Sequence, residues 1–393
     1  MCTSSAATRA MTASTLDDVE PPHGPAETTE PTQHADLLTL IITTSPTPSA
    51  PSTELLSQIL VSFRAHCPEL SKCRVILVLD TYDHISSTAR LKKGHVTADG
   101  ALKYAEYKAN AKRLILEEYA PGVADEDLVL DYAEAEFGSI AYAQQDNAVP
   151  LNISKTDDNR VLFIEPAQRL GFGLAVRSAL RLTSTPYVWI QQHDWVPIAD
   201  IPLGPLLTVM QQHAQPTPAT SDADDEIAEG KVPIKYVCFP SIRMVQYARS
   251  DHVMQFPALR ALTNLHKQNF TVRSNEEGGG SSVAKIPLTP LFFWHDKPHV
   301  AETAHYLAQV FSSRVAVPRG AFIEDTVGHR ARTEMKEGGW RKWACWLYYP
   351  DEGKQLCMRH LKGRTWRGTE GELCQKLEYI RLNQGGELEG AGR

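Results

Sequence analysis

The run LLTLIIT at residues 37–43 is short, apolar and rich in branched side chains, and CRVILVLD at residues 73–80 repeats the pattern. Such runs are typical of strands that are buried on both faces of a sheet. Between them, apolar residues recur at helical spacing: Leu55, Leu56, Ile59, Leu60 and Phe63. A strand, a helix and a second strand within about 45 residues form a βαβ unit, which predicts parallel pairing of the two strands.

The alternation of helices and strands continues along the chain. Helices are predicted at 104–119 and 168–182, and strands at 128–131, 161–164, 187–195, 235–239 and 291–294. The sequence therefore predicts an α/β fold in which helices flank a mostly parallel sheet. Polar stretches at 215–230 and 274–285 interrupt the pattern and are predicted to be exposed loops.

The domain boundaries follow from composition. Residues 1–34 contain four prolines, five acidic residues and few large apolar ones. This composition predicts a disordered tail, because such a segment buries too little apolar surface to fold. We expect one main domain over residues 35–345, followed by a C-terminal extension over residues 346–393.

Charge and cysteine content exclude several classes of protein. With 40 Lys and Arg against 47 Asp and Glu, the net charge is −7, which argues against a nucleic-acid partner. No apolar stretch is long enough for a transmembrane segment, and the N-terminus lacks a signal-peptide pattern. The seven cysteines form no C-x-x-C pair, so reduced thiols and a cytoplasmic location are expected.

Polar residues follow three of the predicted strands. They are Thr43-Thr44-Ser45, then Asp80 with Asp83, and finally Gln192-His193-Asp194. In an open parallel sheet, ligands bind outside the carboxyl ends of the strands. The three groups therefore predict a ligand site at that edge of the sheet.

Common nucleotide and hydrolase motifs are missing from the sequence. No G-x-G-x-x-G follows the first strand, and neither a P-loop nor a G-x-S-x-G elbow occurs. Dehydrogenases, P-loop NTPases and serine hydrolases of that type are therefore disfavoured. The segment His295-Asp296-Lys297-Pro298-His299 contains possible metal ligands, but Pro298 breaks any helix that would align both histidines, which favours a structural role.

Residues 173–195 resemble the stretch of family-2 glycosyltransferases of the GT-A fold that ends in the metal-binding Asp-x-Asp. Arg177 matches the family's helix arginine, which implies a substrate-binding role, and Asp194 matches its metal-contacting acid. Gln192 replaces the first acid and, with His193, corresponds to a substrate-binding position. The resemblance implies Mn²⁺ or Mg²⁺ as cofactor, although the loss of the first acid weakens the case for a metal.

Phe322-Ile-Glu-Asp325 resembles the second hallmark of the same family, in which an acid deprotonates the acceptor hydroxyl. The resemblance implies Asp325 as the catalytic base, with Glu324 beside it. It also implies that His329 completes the metal shell. By the same correspondence, Thr43, Thr44 and Ser45 cradle the nucleotide, and Asp80 contacts its base.

The predicted activity is transfer of a sugar from a UDP- or GDP-linked donor to a carbohydrate or glycosylated acceptor, with inversion. Two alternatives remain open, a non-catalytic nucleotide-sugar-binding protein and a nucleotidyltransferase. Residues 329–367 contain ten Lys and Arg. Four of them are candidates for contact with the diphosphate: Arg330, Arg332, Arg341 and Lys342. The spacing of three between Trp340, Trp343 and Trp346 predicts that at least two of them belong to the core, and an aromatic platform for the acceptor is the alternative.

Overall fold

The computed structural model describes residues 34–139, 147–214, 232–275 and 281–389. These residues belong to one compact unit. The predicted tail at 1–34 lies outside them except for its last residue, and the predicted acidic loop at 215–230 lies outside them entirely. No helix of the described residues is long and apolar enough to cross a membrane.

Helices and strands alternate through the first two hundred residues and mix less regularly afterwards. The strands are β1 Leu38–Thr44, β2 Arg74–Leu79, β3 His84–Ile85, β4 His95–Val96, β5 Val129–Glu136, β6 Ala148–Lys155, β7 Val161–Pro166, β8 Tyr187–Gln192, β9 Trp195–Pro197, β10 Tyr236–Cys238, β11 Gln268–Asn275, β12 Ser281–Pro290, β13 His299–Glu302, β14 Cys345–Tyr348 and β15 Met358–His360. The helices are α1 His34–Leu37, α2 Glu54–His66, α3 Ala98–Tyr119, α4 Phe172–Arg181, α5 Leu203–Gln212, α6 Asp251–Met254, α7 Pro257–His266, α8 Thr303–Val310, α9 His329–Glu334, α10 Trp340–Trp343 and α11 Thr369–Glu389.

Eleven of these strands form one sheet in the order β11-β12-β14-β10-β13-β8-β1-β2-β7-β6-β5. The centre is parallel, because β1 pairs with β2 and β8, and β2 pairs with β7. The sheet as a whole is mixed, which corrects the prediction of a mostly parallel one. Hairpins β5–β6 and β11–β12 extend the two edges, and β13 lies antiparallel between β8 and β10.

The hydrophobic core surrounds the central strands. Every residue of β1 is buried, as expected for a strand covered on both faces. Helix α2 buries Leu56, Ile59 and Phe63, and the Phe63 ring meets Trp189 of β8 edge-on at 6.4 Å. Helix α4 packs against β1 and β2.

The second half of the sheet departs from the predicted elements. Residues 291–294, predicted as a strand, form a buried loop between β12 and β13. The Leu291 N–H still donates to Cys345 O of β14 at 3.0 Å, but the next N–H, that of Phe292, donates to the Tyr247 hydroxyl at 3.1 Å, so strand pairing ends here. Strand β14 lies between β10 and β12. The predicted boundary after residue 345 therefore falls inside a strand of the main sheet.

The tryptophans after residue 339 are core residues, as the spacing predicted. Trp340, Trp343 and Trp346 are each at most 1% exposed. The Trp346 ring lies 5.1 Å from that of Trp340, and its Nε1 donates to the Pro233 carbonyl at 2.9 Å. Burial of the ring with its N–H satisfied makes Trp346 a strong stabilising contact.

We expect Trp346→Ala to lower the free energy of unfolding by about 3–5 kcal/mol, since it removes a large ring from a packed core. The control is Leu130→Ala on the edge strand β5, where the side chain is 78% exposed. That change should cost less than about 0.5 kcal/mol. Urea titrations of both variants measure the difference, and equal midpoints would contradict this account of the core.

Candidate functional site

The three polar strand ends lie at one edge of the sheet. In register, Thr43 of β1 pairs with Val78 of β2 on one side and with Gln192 of β8 on the other. The connections after the strands keep this alignment, because His193 N–H donates to Thr43 O at 3.0 Å and Asp80 N–H to Thr44 O at 2.9 Å. The side chains that follow the strands therefore crowd the same carboxyl edge.

The chain direction across the sheet reverses at this edge. From β1 the chain moves to β2 and β7 on one side, and then crosses to β8 on the other side. The crevice outside the carboxyl ends at such a switch point is the usual ligand site of open α/β sheets. We call the group formed by Gln192, Asp194, His360 and Glu324 the strand-end site.

Asp194 lies at the centre of the strand-end site and is only 8% exposed. Its Oδ2 accepts hydrogen bonds from His360 Nε2 and from the Gly363 N–H, each at 3.0 Å. Burial raises the pKa of this carboxyl, but the contacts, led by that of His360, outweigh it and hold the pKa at about 2. Asp194 is therefore ionised at neutral pH.

The residues that meet Asp194 belong to the C-terminal segment, residues 358–366. The segment begins with β15, which pairs with β9 beside the site, and the Leu361 N–H then donates to Asp194 O at 2.7 Å. A Cβ placed on Gly363 would lie 2.7 Å from His193 Nε2. Only glycine allows this close approach, so the segment fits tightly over the turn after β8.

Asp194 and His360 have the chemistry of a divalent-metal site. A carboxylate suits Mg²⁺ and Mn²⁺, an imidazole is a ligand of many divalent transition metals, and His360 keeps 44% of its side chain exposed. No group of three or more His, Cys, Asp or Glu ligands occurs within the described ranges. Phosphate oxygens and water would have to supply the remaining ligands, as they commonly do for Mg²⁺. The two residues would therefore supply two ligands at most.

His329, which the family resemblance assigned to the metal shell, lies in another environment. It begins α9 and is exposed, with its ring edge-on to Phe293 at 5.6 Å. Among the described residues no contact joins His329 to Asp194, and the histidine that contacts Asp194 is His360. The ligand role of His329 remains a prediction, and His360 is the better placed candidate.

A second carboxylate approaches the strand ends from the opposite side. Gln192 Nε2 donates to Asp296 O at 2.8 Å, and the Asp296 carboxylate accepts from the Glu324 N–H at 3.2 Å. The Glu324 carboxylate returns to this loop, 3.7 Å from His295 Nδ1. Burial lowers the pKa of His295 to about 4, so it is neutral at pH 7, while its contact lowers the pKa of Glu324.

Asp325 stands beside Glu324 but on the solvent side. Asp325 is exposed, whereas Glu324 is only partly exposed, with 40% of its side chain accessible to solvent. Burial raises the pKa of Asp296 well above its usual range, and the charges of Glu324 and Asp325 add to this effect. Both acids of the Phe322–Asp325 motif therefore lie near Asp296, but Glu324 alone contacts the loop directly.

The C-terminal segment connects the two sides of the site. The Arg364 guanidinium lies over the Phe322 ring at 5.1 Å. Burial lowers the pKa of His193, and the charge of Arg364 lowers it further. Arg364 thus places an exposed positive charge between Asp194 and the turn that carries Glu324.

The remaining residues of the first strand end are largely committed to the protein itself. Thr44 is 2% exposed and its hydroxyl bonds to that of Tyr107 at 2.7 Å. Thr43 Oγ1 donates to Gln191 O at 3.5 Å, and Ser45 is half-buried. A nucleotide-contacting role for these three residues stays a prediction, with Ser45 the most accessible of them.

Asp80 ties the end of β2 to the loop before α4. Its two carboxylate oxygens accept the N–H groups of Leu170 at 2.7 Å, Gly171 at 2.9 Å and Thr81 at 3.0 Å. Burial raises the pKa of Asp80 to about 6, against the lowering effect of these bonds. A base-contacting role stays a prediction, but the bonds give Asp80 a structural role of its own.

Arg177 and the predicted diphosphate contacts lie in other parts of the fold. Arg177 is 2% exposed within α4. The Arg330 guanidinium lies over Trp343 at 5.5 Å, and Lys342 pairs with Glu334 at 2.9 Å. Within the described contacts, none of these side chains meets the strand-end site.

Two hollows lie at the opposite, amino edge of the sheet. One of about 410 Å³ is lined by residues that include Tyr119, Asp157 and Arg160. The other, of about 630 Å³, includes Thr185 and Glu302 in its lining. Neither contains a residue predicted to act on substrate.

Sequence analysis missed His360, Asp296 and Gly363 as parts of the site. His360 follows Asp194 by 166 residues, so no local spacing joins the two. The available signal was its place within the basic stretch at 329–367. Asp296 stood in a segment already singled out for its possible ligands, which the structure brings to Gln192 and Glu324.

Comparisons with known proteins give a coarse likeness of fold. No family model matches the sequence, and no curated protein matches it significantly. Among solved structures, the fold is similar to the mannosyltransferase PcManGT from Pyrobaculum calidifontis in complex with GDP-Man and Mn²⁺. The TM-score is 0.34 and the identity 12%, with 81% of this chain covered. The chain spans 58% of that neighbour, which is a glycosyltransferase.

We expect Asp80→Asn to lower the free energy of unfolding by about 1–3 kcal/mol. The change replaces one carboxylate oxygen, which accepts backbone N–H hydrogen bonds, by an NH2 group that cannot accept them. The control is Asp131→Asn, whose exposed carboxylate accepts one backbone N–H and pairs with Lys155. It should cost less than about 1 kcal/mol. Urea denaturation compares the two, and an Asp80 variant as stable as wild type would leave only the predicted substrate role.

Proposed function

We propose that the protein is an inverting glycosyltransferase that moves a sugar from a nucleotide-diphosphate donor to an acceptor hydroxyl. The observation that carries the proposal is the pair of acidic groups on either side of one switch point. Asp194 with His360 forms one side, and Glu324 with His295 forms the other. The bond from Gln192 to the Asp296 carbonyl joins the two sides.

The donor side suits a leaving diphosphate. Sugar transfer develops negative charge on the departing phosphates, so a site must offer positive charge there. Asp194 and His360 would hold Mn²⁺ or Mg²⁺, and a divalent cation when bound acts as a Lewis acid toward the leaving group. Arg364 lies in the same segment and adds a fixed positive charge. We assign it the diphosphate contact predicted for Arg330, Arg332, Arg341 and Lys342.

The acceptor side suits proton removal. Glu324 is partly exposed, and the His295 contact lowers its pKa, so it is ionised at neutral pH. The bond from its own N–H to Asp296 fixes the turn that carries it. We therefore propose Glu324 as the general base, in place of Asp325. A single base facing a leaving group across the sugar gives inversion, by the same logic as in single-displacement glycosidases.

The finer assignment to the GT-A fold and to family 2 is part of the proposal. It is supported by one sheet with a parallel centre and by the position of Asp194 directly after β8. The resemblance implies a nucleotide-sugar donor and a carbohydrate or glycosylated acceptor as classes. It does not select UDP or GDP, nor a particular acceptor. A soluble nucleotide sugar and a carbohydrate acceptor remain the proposed partners.

We expect Asp194→Asn and His360→Gln to weaken Mn²⁺-dependent binding of UDP or GDP by about tenfold or more, since each removes a metal ligand. Isothermal titration with Mn²⁺ and again with EDTA measures the dependence. His329→Gln is the matched control and should bind like wild type. Equal losses with and without Mn²⁺, or a loss confined to the His329 variant, would contradict the donor site.

Glu324→Gln should reduce turnover by about 10²–10⁴ with donor affinity unchanged, because a positioned base contributes that much to the rate. Asp325→Asn, its exposed neighbour, should reduce turnover less than about tenfold. Product formation with UDP- and GDP-sugars is measured on preparations of matched melting temperature. If Asp325→Asn costs more turnover than Glu324→Gln, the base is Asp325.

The same measurements separate the alternative functions. Donor binding without any turnover in wild type would favour the non-catalytic alternative. Binding of nucleoside triphosphates would favour a nucleotidyltransferase.

A further inference from the structure

Three arginines meet around one glutamate away from the strand-end site. Arg181 of α4 lies 3.7 Å from Glu136 Oε2, and Arg314 lies 3.9 Å from the same atom. Arg177, one helical turn before Arg181, interacts with all three of these charges. We call Arg177, Arg181 and Arg314 the arginine cluster.

Arg177 is the unusual member of the arginine cluster. It is 2% exposed, and its Nε and Nη2 are buried without a hydrogen-bond partner. Arg314 Nη2 donates to the Phe137 and Asn147 carbonyls at 3.4 and 3.1 Å, but its buried Nε makes no hydrogen bond, since Glu136 Oε2 lies 3.9 Å away. Buried N–H groups of a charged side chain are costly unless they are bonded, so this arrangement calls for an acceptor.

Among the residues that the structure describes, the charges of the arginine cluster are not balanced. Three guanidinium groups face one described carboxylate, that of Glu136. Burial lowers the pKa of Arg177 to about 10, and repulsion from Arg181 and Arg314 contributes to the shift. Because a guanidinium stays protonated at neutral pH even so, the cluster carries about two unbalanced positive charges.

The arginine cluster is separated from the strand-end site along α4. The helix starts at the carboxyl edge, where the Gly171 N–H binds Asp80. At a rise of about 1.5 Å per residue, Arg177 lies about 9 Å and Arg181 about 15 Å along the axis from Gly171. The helix therefore carries these guanidiniums away from the strand ends that hold Asp194.

We propose that the arginine cluster is a binding site for a phosphate group, separate from the donor site. Guanidinium groups bind phosphate through paired N–H donors. A phosphate dianion would satisfy the buried N–H groups of Arg177 and Arg314, and its charge matches the excess at the cluster. The phosphate is either the free ion or a group carried by another molecule.

Thermal melting in inorganic phosphate, against sodium chloride of equal ionic strength, tests the site. Phosphate at 10–100 times its Kd should raise the melting temperature of wild type by about 2–5 °C. Arg177→Met and Arg314→Gln should each abolish this rise. Arg64→Gln, which removes a 52% exposed guanidinium paired with Glu118, is the control and should keep it. Asp194→Asn should also keep it, because that change affects the donor site alone.

Several results would overturn the site. One is a wild-type protein that phosphate stabilises no more than chloride does. Another is a phosphate effect that survives in Arg314→Gln, which tests the cluster even if Arg177→Met fails to fold. Phosphate titrations in saturating UDP or GDP supply the last test. Direct competition would mean that the ions bind at the donor site, whereas an unchanged phosphate Kd supports a separate site whatever reaction the strand-end site performs.

Discussion

The parallel pairing of β1 with β2 and β8 is the constraint on which the rest of the molecule depends. These strands are buried along their length, and an unpaired polar group among them would be costly. Polar side chains are therefore confined to the points where the chain leaves the sheet. The carboxyl ends of these three strands lie side by side, so the polar residues that follow them are brought to one edge of the sheet.

This constraint also separates what the sequence could predict from what it could not. The apolar runs around β1 and β2, and the acid after β8, are local patterns, so the parallel centre and Asp194 were predictable. Strand β13 pairs antiparallel with its two neighbours, and β14 joins strands more than fifty residues away. Such pairings depend on contacts that leave no periodic signal, which is why the sheet was expected to be mostly parallel.

The site shows the same division between local and long-range information. Glu324 and Asp194 each stand in a short motif that is visible in the sequence. Their contacts, however, come from elsewhere: His360 reaches Asp194 across 166 residues, and Asp296 supports the turn of Glu324. Arg177 illustrates the reverse case. The family resemblance implies substrate binding by Arg177, which stays a prediction, and no sequence pattern indicated the Glu136, Arg181 and Arg314 charges that surround it in the fold.

The location of β14 in the middle of the sheet has a consequence for synthesis on the ribosome. Strand β10 pairs with β14 on one side, and the β11–β12 hairpin is attached to the sheet only through β14. The chain emerges from its N-terminus at about 5–20 residues per second. Until Tyr348 has emerged, β10 and β12 each lack the neighbour that β14 provides. A nascent chain stalled before that point therefore carries two unpaired sheet edges, which a chaperone could bind.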